Sequence, residues 1–115
     1  MNQPIPDEAT WPFGIAPTSY AKLQRLFDAT PNLARVWLYG SRARGDQRRE
    51  SDIDLAVEWQ PGAKHRFLRE DIEDLGLIYR TALTDLGDKL EADFRQRLER
   101  DRKVFWERKA AGPDM

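Results

Sequence analysis

Apolar residues recur along this chain in two rhythms. Tyr20, Leu23, Leu26 and Phe27 are spaced three and four apart, the period of a helix with one buried side. Pro17, Thr18 and Ser19 just before them give a helix start, with a hydroxyl as N-cap. Pro31 sets its end, because the residue ahead of a proline is pushed out of helical geometry. The rhythm then switches to alternation. Residues 34–39 predict a strand with Trp37 and Tyr39 on one face and Val36 and Leu38 on the other. Both faces are apolar, so both are expected to be covered. A helical turn over 41–44, broken by Gly45, and a charged loop over 46–51 lead into a second strand, 52–59, closed by Pro61-Gly62.

Helical spacing returns at 64–77, where Phe67, Leu68, Ile72 and Leu75 form the apolar stripe. A third strand is expected over 79–86. Gly87-Asp88 then opens a last helix in which Leu90, Phe94 and Leu98 repeat every four residues. Residues 103–108 add a short strand or extend that helix. This order predicts an α/β fold: a small mixed β-sheet with helices on one face and the other face open. Residues 1–10 read as a loose polar arm, and 110–115 as a frayed end. Trp11, Phe13 and Ile15 are expected to fold back on the body as a clip, the rival reading being an apolar surface for a partner.

At 115 residues the chain is expected to be one domain, 1–115. Its 34% charged residues and mean hydropathy of −0.76 describe a polar surface around a modest core. Nineteen basic residues against 20 acidic ones leave a formal charge of −1, which argues against general affinity for nucleic acid. Without cysteine there is no disulfide frame and no thiolate metal site. No run approaches membrane-spanning length, so the expected location is the cytoplasm.

The chemistry concentrates between residues 36 and 58. Asp52 and Asp54 flank Ile53 at the start of the second strand, so their side chains share a face. Two neighbouring carboxylates repel unless a cation lies between them, and Mg2+ takes such oxygen ligands. Gly40-Ser41 at the end of the first strand offers a residue free to take positive φ and a helix start with open backbone N–H groups, which suits phosphate. Arg42 and Arg44 follow and are candidate phosphate contacts. A phosphate cradle beside metal carboxylates points to phosphoryl or nucleotidyl transfer. His65, the only histidine, reads as a solvated surface residue, as do Arg48, Arg49 and Glu50; Trp59, Phe105 and Trp106 read as core or edge cover, with an interface role open for some of them.

Gly40-Ser41, ten residues, Asp52, one residue and Asp54, within LYGSRARG and SDIDLAV, resembles the signature of the nucleotidyltransferases related to DNA polymerase β. At this length the chain is similar to the minimal nucleotidyltransferase (MNT) branch, often the antitoxin half of HEPN–MNT toxin–antitoxin pairs. The resemblance implies that Gly40 and Ser41 hold the β and γ phosphates of a nucleoside triphosphate, usually ATP, and that Asp52 and Asp54 ligate Mg2+ and serve catalysis. It implies transfer of AMP or another NMP to a tyrosine hydroxyl of a HEPN-type ribonuclease toxin, in a hetero-oligomer or homodimer. Neither nucleic acid nor a membrane is expected as a partner.

One position departs from the family wording. A third carboxylate is usual on the next strand, and aligning Tyr79 and Asp85 with the family phrase puts Ala82 there. Asp85 lies three residues on and is expected on the opposite face. Thr84 shares the face of Ala82 but is neither a base nor a strong ligand. Glu73 and Asp74 sit on the preceding helix. Transfer is therefore expected to be weakened or lost. Two other readings follow: an antitoxin that neutralises its toxin by binding alone, and an ATP-binding regulatory module.

Overall fold

The computed structural model describes residues 10–63 and 67–109. The expected loose arm up to residue 9, His65 with the first residues of the 64–77 helix, and the frayed end at 110–115 lie outside the described residues. A short 3-10 turn, Pro12–Gly14, precedes α1 (Pro17–Asp28), β1 (Leu33–Tyr39), α2 (Ser41–Arg44), β2 (Ile53–Trp59), α3 (Leu68–Asp74), β3 (Thr81–Asp85), α4 (Ala92–Asp101) and β4 (Lys103–Glu107).

The four strands form one mixed sheet in the order β3-β2-β1-β4. β1 runs antiparallel to both β2 and β4, while β2 and β3 are parallel and joined by α3, as a parallel pair requires a crossover. Val36, Leu38, Ile53, Leu55 and Val57 point from the sheet into the core and are closed over by Leu23 and Phe27 of α1 and Leu68 and Ile72 of α3. Ile15 is fully buried there and Phe13 packs against the same core, its ring 6.1 Å from that of Phe105. The 11–15 segment is thus the clip its apolar residues predict. Phe105 and Trp106 are core residues, and the Trp106 indole donates to Asp28 Oδ1 at 2.8 Å.

Several expectations change. The helix at 17 starts on Pro17 itself with no side-chain cap, and Ser19 is buried inside its first turn. Proline tolerates the first helical position because its missing N–H has no acceptor there anyway. The third strand is shorter than expected, because Tyr79 leaves the ladder and its hydroxyl accepts from the Ala16 N–H at 2.8 Å. Phe67 is exposed rather than part of the stripe, and α4 begins at Ala92, after Leu90. Residues 103–107 take the strand alternative.

The helices do not all lie on one face. The α4 ring of Phe94 meets Tyr39 edge-on at 5.7 Å, and Tyr39 lies directly opposite Asp54 in the ladder, on the face away from the main core. An apolar repeat of every fourth residue makes a narrow stripe, so α4 shields only part of that face. Trp37, next along it, is covered by the Arg102 guanidinium at 4.1 Å and donates its indole N–H to Glu58 at 2.5 Å. At the two flanks of the sheet, Gln24 donates to the Phe105 carbonyl of β4 at 2.9 Å, and Arg69 to the Leu83 carbonyl of β3 at 3.0 Å. No helix among the described residues is long and apolar enough to cross a membrane.

Candidate active site

β1 ends at Gly40, whose φ of 76° and ψ of −158° turn the chain sharply into α2. Glycine takes positive φ without steric cost. Space demands it as well, for a Cβ at Gly40 would collide with the Asp54 carboxylate. The turn closes through the Gly40 carbonyl, which accepts from Ala43 and Arg44 N–H groups at 3.1 Å each, and ends at Gly45 with φ of 89°. The first amides of such a turn have no acceptor within it, which leaves donors near Ser41 for an anion.

Asp52 and Asp54 lie across this turn from β1. Asp54 is the residue paired with Tyr39 on one side and with Ala82 on the other. Asp52, one step ahead of β2, is exposed, while Asp54 is partly buried. Burial pushes the Asp54 carboxyl above its ordinary range, the charge of Asp52 pushes it further, and Arg42 and Arg44 pull it back down. A desolvated carboxylate beside a second negative charge is a place where a divalent cation relieves two unfavourable effects at once. No cluster of three acidic, histidine or cysteine side chains able to hold a metal occurs among the described residues. Two carboxylates still suit Mg2+, which commonly takes one or two from protein and the remaining oxygens from phosphate and water. The donor set therefore fits the ion.

Arg42 is placed differently from the phosphate contact expected of it. It is 2% exposed, and its guanidinium donates to the Phe13 and Gly14 carbonyls at 3.1 and 3.0 Å, to Ser51 at 2.8 Å and to Arg49 at 3.1 Å. It also reaches the Arg48 carbonyl and lies over the Tyr79 ring at 4.8 Å. All five N–H groups of a guanidinium are used by that set, so none is left for phosphate. Arg42 ties the clip and the 46–51 loop to the Gly40 turn. Sequence gives only a faint sign of this: an arginine one residue past the turn reads equally as a ligand. Gly14 is the better clue, since a Cβ there would press on Gln47 Nε2 and on Arg42 itself.

Arg44 stays at the surface, paired with Asp46 at 3.2 Å and with Asp101 of α4 at 3.5 Å. Ala82 stands beside Asp54 in the ladder. Asp85 pairs in register with Val57 and faces the other way, bonded to the Trp59 indole at 3.2 Å and the Gly87 N–H at 2.8 Å. Thr84 is on the Asp54 face, where its hydroxyl meets that of Tyr39 at 3.0 Å. Hollows of about 370 and 440 Å3 lie at the far ends of β2 and β3, around Trp59 and Asp85. Another of about 350 Å3 borders the α2 turn between Trp11, Arg44 and Lys103. The acid pair is found by its chemistry, since it stands on an open face.

A family profile, polymerase beta nucleotidyltransferase, matches residues 21–111. The chain belongs to the polymerase β nucleotidyltransferase family. Its fold is that family's mixed sheet with helices. Among solved structures this nucleotidyltransferase is similar to a toxin–antitoxin crystallised with AMP-PNP, at 28% identity and a TM-score of 0.60 over 78% of this chain and 74% of that one. It is also similar to a mutant of the MntA–HpeT toxin–antitoxin, at 26% identity and a TM-score of 0.58 over 83% and 75% of the two chains. A third structure shares the fold at 22% identity and a TM-score of 0.52, over 79% of this chain and 71% of that one: a tri-AMPylated Shewanella oneidensis HEPN toxin in complex with MNT antitoxin. No curated protein matches the chain.

Proposed function

We propose that this nucleotidyltransferase is the antitoxin of a HEPN–MNT pair and transfers AMP, or another NMP, from a nucleoside triphosphate to a tyrosine hydroxyl of its partner toxin. The observation that carries the reading is the packing of Gly40 against Asp54. Phosphate turn and acid pair are built as one unit, with no room for a side chain between them. That is the arrangement a bound triphosphate needs if its tail and its reacting end are to be held together.

In this reading Gly40 and Ser41 hold the β and γ phosphates, and Asp52 and Asp54 hold Mg2+. The ion, when bound, neutralises charge as pyrophosphate leaves. Arg42 keeps the turn in shape through the carbonyls it binds. Arg44 has surface partners that a phosphate can displace. The acceptor hydroxyl comes from a second chain, which fits a site that stands open rather than enclosed, and fits the toxin complexes among the structural neighbours. Incubation with labelled ATP, Mg2+ and the neighbouring gene product is expected to add AMP to that product, read by intact-mass spectrometry. A toxin left unmodified, with no heat from ATP and Mg2+ in calorimetry, would sink the proposal.

A second reading is favoured by Ala82, which stands in the ladder beside Asp54 where the family resemblance implies a third carboxylate. Here the antitoxin has lost positioned help for the attacking hydroxyl and silences its partner by stoichiometric binding. Positioned general-base help is worth roughly a hundred- to ten-thousand-fold in rate. Ala82→Asp is therefore expected to raise transfer by about a hundredfold or more, measured as AMP incorporated per minute. A variant no faster than the natural chain would show that this position does not limit the rate.

A further inference from the structure

We propose that Arg80 is a catalytic residue of this site, contacting the phosphoryl group in transfer rather than the triphosphate tail; the inference rests on the nucleotidyl-transfer reading above. The ladder between β2 and β3 pairs Ile53 with Thr81 and Asp54 with Ala82. It runs one step further than the strands themselves, since the Ile53 N–H donates to the Arg80 carbonyl at 2.9 Å. Arg80 is therefore the neighbour of Asp52, and strand alternation puts its side chain on the face of Ala82 and Asp54.

Its charge is available. Arg42 spends its guanidinium on backbone carbonyls, and Arg44 is shared between Asp46 and Asp101. Arg80 is exposed and makes no ion pair with another described residue. A triphosphate keeps negative charge after one divalent cation has bound, and a guanidinium suits its oxygens.

Position decides which phosphate. Gly40 and Ser41 end β1, the acid pair opens β2, and Arg80 leads into β3, three strands side by side in that order. With the tail on the β1 side of the acids, the β3 side is left for the α-phosphoryl group and its acceptor. There the acceptor oxygen forms its bond to the α-phosphorus while the bond to the bridging oxygen breaks. Pyrophosphate leaves with that electron pair, and the hydroxyl proton passes to water. Arg80 meets the charge on the two non-bridging oxygens of the group in flight, where fixed donors are most effective.

The full chain and its Arg80→Ala and Arg80→Lys variants separate the possibilities. AMP, which carries only the α-phosphate, and pyrophosphate, which carries only the tail, are titrated separately by calorimetry with Mg2+. Arg80→Ala is expected to weaken AMP about tenfold and to change pyrophosphate less than twofold, with lysine intermediate. In single turnovers with the partner toxin, the alanine variant is expected to lose about a hundredfold in rate. Equal losses for the two probes, or an unchanged AMP affinity, would overturn the assignment. A natural chain that transfers nothing overturns the reading it rests on, while the contact itself is read by AMP alone.

Discussion

Asp52→Ala combined with Asp54→Ala is expected to abolish transfer, by at least about a thousandfold, since a metal site contributes several kcal/mol of transition-state stabilisation and each 1.36 kcal/mol is tenfold. In the proposed reading the loss comes from the missing Mg2+ ligands and not from the fold. Asp52 is exposed, and Asp54 is not among the residues of the hydrophobic core. The milder Asp54→Asn makes the same point with opposite signs in two measurements. Because the folded-state carboxyl titrates above its ordinary value, the folded chain takes up a proton that the unfolded chain has already released. Its contribution to stability is present below the unfolded pKa and falls away as pH rises through the folded one. At neutral pH the charged group is a net burden. Asp54→Asn is accordingly expected to raise Tm in the absence of metal at pH 7, to lose that advantage below the ordinary aspartate pKa, and to abolish transfer throughout. A variant less stable than the natural chain at pH 7 would show that the burden does not exist.

Arg42→Met is expected to be the most damaging single change to the fold, at about 3 kcal/mol or more, because a buried network loses its donor and leaves carbonyls unsatisfied. Five backbone carbonyls, from Phe13, Gly14, Arg48, Arg49 and Ser51, face the guanidinium. Methionine fills much of the volume and supplies none of the hydrogen bonds. Arg42→Lys keeps a charge that burial penalises, yet an ammonium has too few donors in the wrong directions to reach the same set. Denaturant melts of the two variants should lie well below the natural chain, with Arg44→Ala close to it. An Arg42→Met chain as stable as the natural one would show that water replaces the arginine at no cost.

What the sequence made legible was whatever local periodicity or chemistry decides alone. The turn at Gly40 and Gly45, the opposite face of Asp85 and the burial of Ile15 all follow from alternation, glycine geometry and hydrophobicity. The matched profile and the solved neighbours then place the chain in the family that its motif resembles. What was not legible depended on contacts between distant segments. Arg42 reads as a ligand until Phe13, Gly14 and the 46–51 loop are brought around it. Tyr79 has strand-like character, but its hydroxyl is taken by Ala16, which shortens β3. The stripe on α4 is apolar enough to pack, and nothing local says against which face. Even the start of α1 was decided by the backbone of Pro17 and not by the hydroxyls beside it.

The two flank contacts, Gln24 on Phe105 and Arg69 on Leu83, have a consequence for how this protein meets others. An outer strand with bare amides and carbonyls is a generic adhesive that pairs with any extended peptide, including a second copy of itself. Here a side chain from the helical layer blocks one carbonyl on each outer strand, so indiscriminate zippering is discouraged at both ends. Recognition is thereby left to shape and charge on the broad surfaces. If the proposed pairing with a single toxin holds, specificity benefits as much from what the surface declines to touch as from what it grips.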